Sequence, residues 1–215
     1  MRRPSEKTKQ DRGYGTGHGA DYKPYIKARE FNSSGTCSTI IDWKHGRTIE
    51  LRSQGEKWWY YILRWDDDAL DIREQFPLPI EETTEIAMLK GYNPVQRGKV
   101  HMTTDMLVDY SNGKKVAYSV KARKNHSKRA LEKMDIEKTY WEGQGVEFKV
   151  LYKDEVDLMK AINISNLVMF YKPESLRPGH RIDLLRHLII TKQLPVNLSE
   201  ELDYDKIGET YGITG

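Results

Sequence analysis

The chain has 215 residues, 38% of them hydrophobic and 31% charged, which is enough apolar material for a core under a highly charged surface. The formal net charge is only +3, so bulk charge does not by itself predict a polyanionic partner. A single cysteine, Cys37, excludes an internal disulfide framework, no apolar run approaches ~18 residues, and the N-terminus lacks an apolar signal core. These features predict a cytoplasmic protein without a membrane span.

Positive charge is concentrated in two parts of the chain. Residues 1–30 contain eight lysines or arginines against four acids, and a second basic run extends from Lys114 to Arg129. Residues 1–20 are polar and glycine-rich, so they are expected to form a flexible basic arm. Clustered cations suit a substrate such as DNA, and a solvated basic surface is the alternative.

The first predicted elements are short. Residues 25–52 are expected to contain β-prone pieces with a turn at 44–47. Residues 53–66 are expected to form a helix, with a strand from Ala69 leading into a proline-bounded loop. The apolar face of that helix is predicted from helical spacing, and it consists of Trp58, Tyr61, Ile62 and Trp65.

Alternation and capping residues predict the middle of the chain. Residues 103–110 and 116–122 alternate as strands, 127–143 form a helix capped by Ser127, and 146–152 form a further strand. The fold class is therefore α/β, with a mixed sheet flanked by helices. We expect one domain over residues 1–153 and a small helical domain over 154–215.

The turn between the two central strands decides whether a catalytic site can exist. A two-residue Asn112-Gly113 turn would place Asp105 and Lys121 on opposite faces. A three-residue Ser111-Asn112-Gly113 turn pairs Asp105 with Ser119, so that Asp105, Ser119 and Lys121 share one face. Gly113 supplies the left-handed residue that such a turn needs.

The two strands and the preceding helix carry the residue pattern of PD-(D/E)xK nucleases: Glu56 on the helix, Asp105 on the first strand, and Ser119-Val120-Lys121 on the second. In such nucleases the carboxylates hold a divalent cation, and the lysine assists the attack on the phosphate. Glu56 has a second interpretation, because Ser53-Gln54-Gly55-Glu56 fits a helix-capping box.

Several stretches resemble the TnsA family, the strand-cleaving subunits of heteromeric transposases, and they occur in family order over residues 13–155. They are GHGADYKP, Ser33-Ser34-Gly35, LDIREQFPL at 70–78, TTDMLVD at 103–109, SVK at 119–121 and LEKMDIEKTYW at 131–141. The resemblance implies a restriction-endonuclease-like fold and cleavage at the 5′ ends of a transposon during DNA transposition in a bacterium, at the nucleoid.

The resemblance also implies site residues, a cofactor and partners. Glu56, Asp105 and Lys121 would be catalytic, and two Mg²⁺ ions, replaceable by Mn²⁺, would be held by Glu56, Asp105 and the carbonyl of Val120. Ser119 stands where the family often has glutamine; its hydroxyl is a shorter and weaker ligand, which a water could extend. The partners would be transposon-end DNA, a TnsB-like DDE transposase and a TnsC-like AAA+ ATPase.

The remaining cations and the C-terminal segment have open interpretations. The predicted DNA-binding residues are Arg73, Lys114, Arg123, Lys124 and Lys128. Arg73 fits equally a phosphate contact, a brace for the catalytic glutamate, or a buried salt bridge. Residues 204–214 resemble the start of a helix-turn-helix, so the C-terminal domain is expected to be winged-helix-like. Two alternatives follow for it: either the chain is truncated there, or the domain is a module that docks a partner.

Two other functions fit the same pattern. A scaffold subunit would keep the fold with a catalytic site weakened by Ser119, and a stand-alone phage or restriction nuclease would cut without a transposase.

Overall fold

A four-stranded mixed sheet lies at the centre of the protein, described by a computed structural model over residues 4–27, 37–124 and 126–213, without the side chain of Gln96. Its strands, in sheet order, are β3 (Ala69–Leu78), β4 (Met102–Tyr110), β5 (Lys115–Lys121) and β6 (Glu147–Tyr152). β3, β4 and β5 are antiparallel neighbours, and β6 is parallel to β5, which confirms the predicted mixed sheet.

The two shortest strands, β1 (Ser38–Ile41) and β2 (Thr48–Leu51), form a separate hairpin around the predicted turn. Asp42 fixes this turn, because its carboxylate accepts hydrogen bonds from the backbone N–H groups of Lys44 and His45. The stretch Ser33-Ser34-Gly35, which contributes to the family resemblance, lies outside the described residues, as do Arg2, Arg3 and Arg29.

Helices cover both faces of the sheet and form the C-terminal part of the chain. Their bounds are α1 (Glu6–Asp11), α2 (Gln54–Trp65), α3 (Ile80–Leu89), α4 (Lys128–Gly143), α5 (Leu158–Leu167), α6 (Arg181–Ile190) and α7 (Tyr204–Thr210). Ser53 and Ser127 cap α2 and α4, each accepting a hydrogen bond from the N–H three residues on. Both caps are where the sequence predicts them.

The sheet buries apolar side chains on both faces. Met106 and Val108 pack on the face covered by α2 and the C-terminal helices, whereas Leu107 packs with Ile136 and Trp141 of α4 on the other. This separation follows from the two-residue alternation of a strand. The first of these cores runs continuously from the sheet into α5 and α6.

The turn between β4 and β5 is the three-residue turn that the site requires. Val108 pairs with Val116 and Asp109 with Lys115, and Tyr110 and Lys114 close the loop through a 2.9 Å backbone hydrogen bond. Gly113 has a φ of +80°, the left-handed conformation that only glycine adopts without cost. The last pair of this register is Met106 with Tyr118, and one further step along both strands brings Asp105 opposite Ser119, as predicted.

The predicted buried face of α2 is only partly correct. Tyr61 is buried, but Trp58, Ile62 and Trp65 are only partly buried. A second stripe of the helix, which consists of Tyr60 and two charged residues, is buried as well. That stripe contains Glu56 and Arg64, which lie four residues on either side of Tyr60. Apolar spacing does not reveal it, because each charged group is buried against a specific partner from elsewhere in the chain.

The ends of the described chain are helical. Near the N-terminus lies α1 (Glu6–Asp11), whose Lys9 ammonium is 4.4 Å from the ring centre of Tyr25. Among the described residues after β6 there are helices and no strand, so a winged-helix domain is not confirmed. Partner docking by this part, and the mobile character of the N-terminal arm, stay predictions. No helix in the described part has the length and apolarity needed to cross a membrane.

Candidate active site

Asp105 lies at the meeting point of β3, β4 and β5. Its Oδ2 atom accepts a 2.7 Å hydrogen bond from the backbone N–H of Val120 and lies 3.7 Å from the ammonium of Lys121. Its Oδ1 atom lies 3.5 Å from the side-chain nitrogen of Gln75. These donors hold the Asp105 carboxylate in place. Because Asp105 is only partly buried and lines an open cleft, the carboxylate is also accessible to a ligand.

Glu56 makes the capping contacts that its sequence predicts, and its carboxylate also lies beside the predicted metal ligand Asp105. As the residue three positions after the N-cap, it accepts hydrogen bonds from the hydroxyl of Ser53 at 3.0 Å and from the backbone N–H of Arg52 at 2.9 Å. Its Oε2 atom also accepts a 3.1 Å hydrogen bond from Gln75 Nε2, the nitrogen that faces Asp105. The capping contacts therefore fix the carboxylate beside the predicted metal ligand.

A third acidic group, Glu137 of α4, lies on the side of the site where Ser119 and Lys121 are. Lys121 Nζ donates to Ser119 Oγ at 2.6 Å, and Ser119 Oγ donates to Glu137 Oε2 at 3.1 Å. The other oxygen of Glu137 accepts a 2.8 Å hydrogen bond from the hydroxyl of Thr104. Ser119 is 1% exposed, so its hydroxyl links the lysine to a buried carboxylate.

Burial raises the pKa of both glutamates. The pKa of Glu137 is raised to about 7 mainly by burial, and the negative charge of Asp105 adds to the shift while the positive charge of Lys121 opposes it. Burial, with a further contribution from Asp105, likewise raises the pKa of Glu56 to about 7. Strongly shifted carboxyl groups around one cleft are typical of a catalytic centre.

A measurable consequence is an inverted dependence of stability on pH. Between its unfolded pKa of about 4.5 and its folded pKa of about 7, Glu137 keeps a proton in the native state that the unfolded chain has lost. The free energy of unfolding therefore falls as pH rises through this range, by at most about 3 kcal/mol for this group. Chemical denaturation in EDTA between pH 4.5 and 8 measures the slope.

Glu137→Gln removes this contribution and flattens the slope. Glu142→Gln, an exposed change on the same helix, is the matched control and leaves the slope unchanged. Equal slopes in the wild type and Glu137→Gln would show that Glu137 is ionised over the whole range.

The cleft has a volume of about 480 Å³ and is lined by both acids and bases. Asp105, Lys121 and Glu137 lie in it, together with three cations, Lys9 of α1, Arg52 of the loop before α2, and Lys133 of α4. Positive side chains around a carboxylate centre give a surface that can accept a phosphodiester while leaving the acids free to bind a cation.

The structure does not gather the predicted DNA-binding residues into one patch. Arg123, Lys124 and Lys128 are exposed in the loop and first turn that follow Lys121. Lys114 lies at the other end of β5, roughly 23 Å away along a strand of seven residues. Its ammonium contacts Glu147 at 2.5 Å. Three of the five cations thus follow the cleft residue Lys121 closely along the chain, with Lys124 in contact with Glu155 at 2.6 Å, whereas Lys114 lies at the far end of β5.

The geometry of Arg73 favours a buried salt bridge over the other two roles considered for it. It is 5% exposed and donates to both oxygens of Asp109, at 2.9 and 2.8 Å.

A separate group of possible metal ligands consists of His18, Asp71 and Asp109, whose ligand atoms lie within 4.8 Å of one another. Arg73 and Lys115, which lies 3.9 Å from Asp109, balance the two carboxylates, so this cluster already has its counter-charge.

Sequence reasoning missed four residues of the site. Glu137 lies in LEKMDIEKTYW and Gln75 in LDIREQFPL, two stretches that carry the family resemblance, but neither lies at the spacing of the nuclease motif. Arg52 and Lys133 also line the cleft. Each of the four has a charged or polar neighbour in the sequence, so no local pattern separates it from a surface position.

Comparison with known proteins agrees with this arrangement. Residues 66–153, which contain the four-stranded sheet and α4, match the family described as TnsA-like endonuclease N terminal. The chain is 34% identical over 209 residues to the transposon Tn7 transposition protein TnsA of Escherichia coli, an alignment covering 92% of this chain and 77% of that protein. The mixed sheet and the family match define the class, which is a TnsA-like endonuclease. The chain belongs to the TnsA family.

Proposed function

We propose that this protein is a divalent-metal-dependent endodeoxyribonuclease that cuts DNA at the 5′ ends of a transposon. The observation that carries the proposal is the position of Asp105, between the Gln75–Glu56 pair and the Val120–Lys121 pair, at the floor of a cleft lined by cations. The family membership supports the same reaction class.

The donor set suits Mg²⁺, with Mn²⁺ as a substitute. Glu56 and Asp105 present carboxylate oxygens to the same nitrogen atom of Gln75, and Val120 adds a backbone carbonyl next to the N–H that Asp105 binds. Hard oxygen ligands are those that Mg²⁺ prefers, and the mutual repulsion of two carboxylates is relieved by a cation. When bound, up to two ions would supply a water nucleophile at neutral pH and neutralise phosphate charge.

Lys121 would act directly on the reacting atoms. Its ammonium lies beside Asp105 and is held by Ser119, so it can orient a water molecule or stabilise the negative charge that develops on the phosphate oxygens. The water oxygen attacks phosphorus in line, and the bond from phosphorus to the 3′ oxygen breaks. The products are a 3′-hydroxyl and a 5′-phosphate.

Glu137 and Ser119 would position this lysine. Ser119 is engaged with Lys121 and Glu137, which suits a supporting role better than direct metal ligation, although a water-bridged contact from Ser119 to a metal stays a prediction. Glu137 lines the same cleft as Asp105. It brings a carboxylate next to Ser119, the strand position at which many PD-(D/E)xK nucleases have an acidic residue.

The proposed partners follow from the relationship to a transposition protein. A TnsB-like DDE transposase would process the 3′ ends, and a TnsC-like AAA+ ATPase would regulate the reaction. We expect these partners to determine the cleavage position. Arg123, Lys124 and Lys128 would contact backbone phosphate beside the cleft.

The test is cleavage of a plasmid carrying transposon ends, with and without the cognate transposase, in Mg²⁺, Mn²⁺ or EDTA. We expect 5′-end cuts that require metal and are lost in Lys121→Met. Lys138→Met, an exposed change on α4, controls for general loss of charge and is expected to cut normally.

Other outcomes distinguish the rival functions. Inert protein under all metal conditions, with the transposase present and DNA binding intact, would indicate a scaffold subunit. Efficient cutting without any transposase, at positions unrelated to transposon ends, would indicate a stand-alone nuclease.

A further inference from the structure

Gln75 has an unusual backbone conformation at the position opposite Asp105. Its strand neighbours pair regularly, Glu74 with Met106 and Phe76 with Thr104. Between them Gln75 has a φ of +50°, one of three positive values among the non-glycine residues that the structure describes. A glutamine in this region is strained, and such strain persists only where the surroundings hold it in place.

The buried side chain shows what this conformation achieves. Gln75 is 0% exposed, and its Nε2 atom lies 3.1 Å from Glu56 Oε2 and 3.5 Å from Asp105 Oδ1. Its Oε1 atom accepts a 3.3 Å hydrogen bond from the hydroxyl of Thr103. Ionised carboxylates only accept hydrogen bonds, so in that state the amide directs its nitrogen at both of them, and the Thr103 hydroxyl fixes the opposite end.

We propose that Gln75 is a positioning residue, whose amide nitrogen bridges Glu56 and Asp105 and holds the two carboxylates at the spacing that a divalent cation requires. The inference rests on the proposed function. A regular strand conformation at Gln75 would direct its side chain differently, so the left-handed φ is the backbone change that brings the nitrogen between the acids. Because the amide is neutral, it reduces the repulsion between the carboxylates without adding a charge that would compete with the cation.

The prediction is that the side chain of Gln75 sets metal affinity. Gln75→Gly removes the side chain and also relieves the positive φ, which offsets part of the cost of the lost side-chain contacts, and urea denaturation is expected to show that the variant still folds. Mn²⁺ binding by calorimetry is nevertheless expected to weaken about 10- to 100-fold, the usual range when a residue that orients metal ligands is lost. The KM for DNA is expected to stay near its wild-type value at saturating metal.

Three further variants separate positioning from a structural role. Gln75→Asn keeps the amide but is one methylene too short to reach, so it should weaken Mn²⁺ binding as Gln75→Gly does. Lys192→Gly relieves another positive φ far from the cleft and should leave Mn²⁺ binding unchanged. In an Asp105→Asn background, Gln75→Gly should have little further effect on metal binding, because the pair that it bridges is already broken.

The outcomes for the inference and for the function differ. If the wild type binds Mn²⁺ at a site lost in Asp105→Asn, but Gln75→Gly binds it equally well, the positioning role is overturned and the nuclease proposal stands. If the wild type has no Mn²⁺ site that depends on Asp105, the proposed function fails first and the positioning role fails with it.

Discussion

Asp105→Asn is expected to lower the rate of strand cleavage about 10³-fold or more while leaving DNA binding within a few-fold of the wild type. The change keeps the size of the side chain and removes the negative charge that would hold the cation. Loss of several kcal/mol of transition-state stabilisation corresponds to a rate effect of this order. Single-turnover nicking of transposon-end DNA in Mn²⁺, with binding measured in Ca²⁺, separates the two quantities.

The fold should survive this substitution. Asp105 accepts a hydrogen bond from the N–H of Val120, and the carbonyl oxygen of asparagine can accept the same bond. Asp109→Asn on the same strand face is the matched control, because Asp109 is bonded to Arg73 and lies outside the cleft residues. Cleavage that persists in Asp105→Asn at more than a tenth of the wild-type rate would remove Asp105 from the catalytic site.

Arg64→Met is expected to lower the free energy of unfolding by about 3–5 kcal/mol, the usual cost of breaking a buried ion pair by removing one partner. Arg64 is fully buried on α2, and its Nε atom lies 3.0 Å from Asp42 Oδ1. One of its terminal nitrogens also donates to the backbone carbonyls of Ala69 and Leu70. Its loss leaves Asp42, which is 0% exposed, as an uncompensated buried charge. Urea denaturation measures the change.

The double variant Arg64→Met with Asp42→Asn should recover part of this loss, since the remaining charge is removed as well. Lys138→Met breaks an exposed pair with Glu142 at 3.6 Å and is expected to cost less than about 1 kcal/mol. A cost below about 1 kcal/mol for Arg64→Met would mean that water or another cation replaces Arg64 beside Asp42.

Local sequence predicted the elements whose formation depends on their own residues. The Ser111-Asn112-Gly113 turn set the register of β4 and β5, and that register alone placed Asp105, Ser119 and Lys121 on one face. Ser53 and Ser127 marked the first turns of α2 and α4 in the same way. A two-residue turn would have reversed the face of every side chain on one of the strands, so the nuclease arrangement predicts the three-residue turn, and the structure has it.

Only the tertiary structure decided which distant groups complete the site and which polar groups are buried. Glu137 approaches Ser119 because α4 packs across the sheet, and Gln75 reaches Glu56 through a backbone conformation that no local pattern predicts. The buried position of Arg64 depends in the same way on Asp42, 22 residues away. Spacing along the chain fixes the face of a strand or helix, whereas burying a charge is stable only when a particular partner arrives from elsewhere, and the fold alone brings the two together.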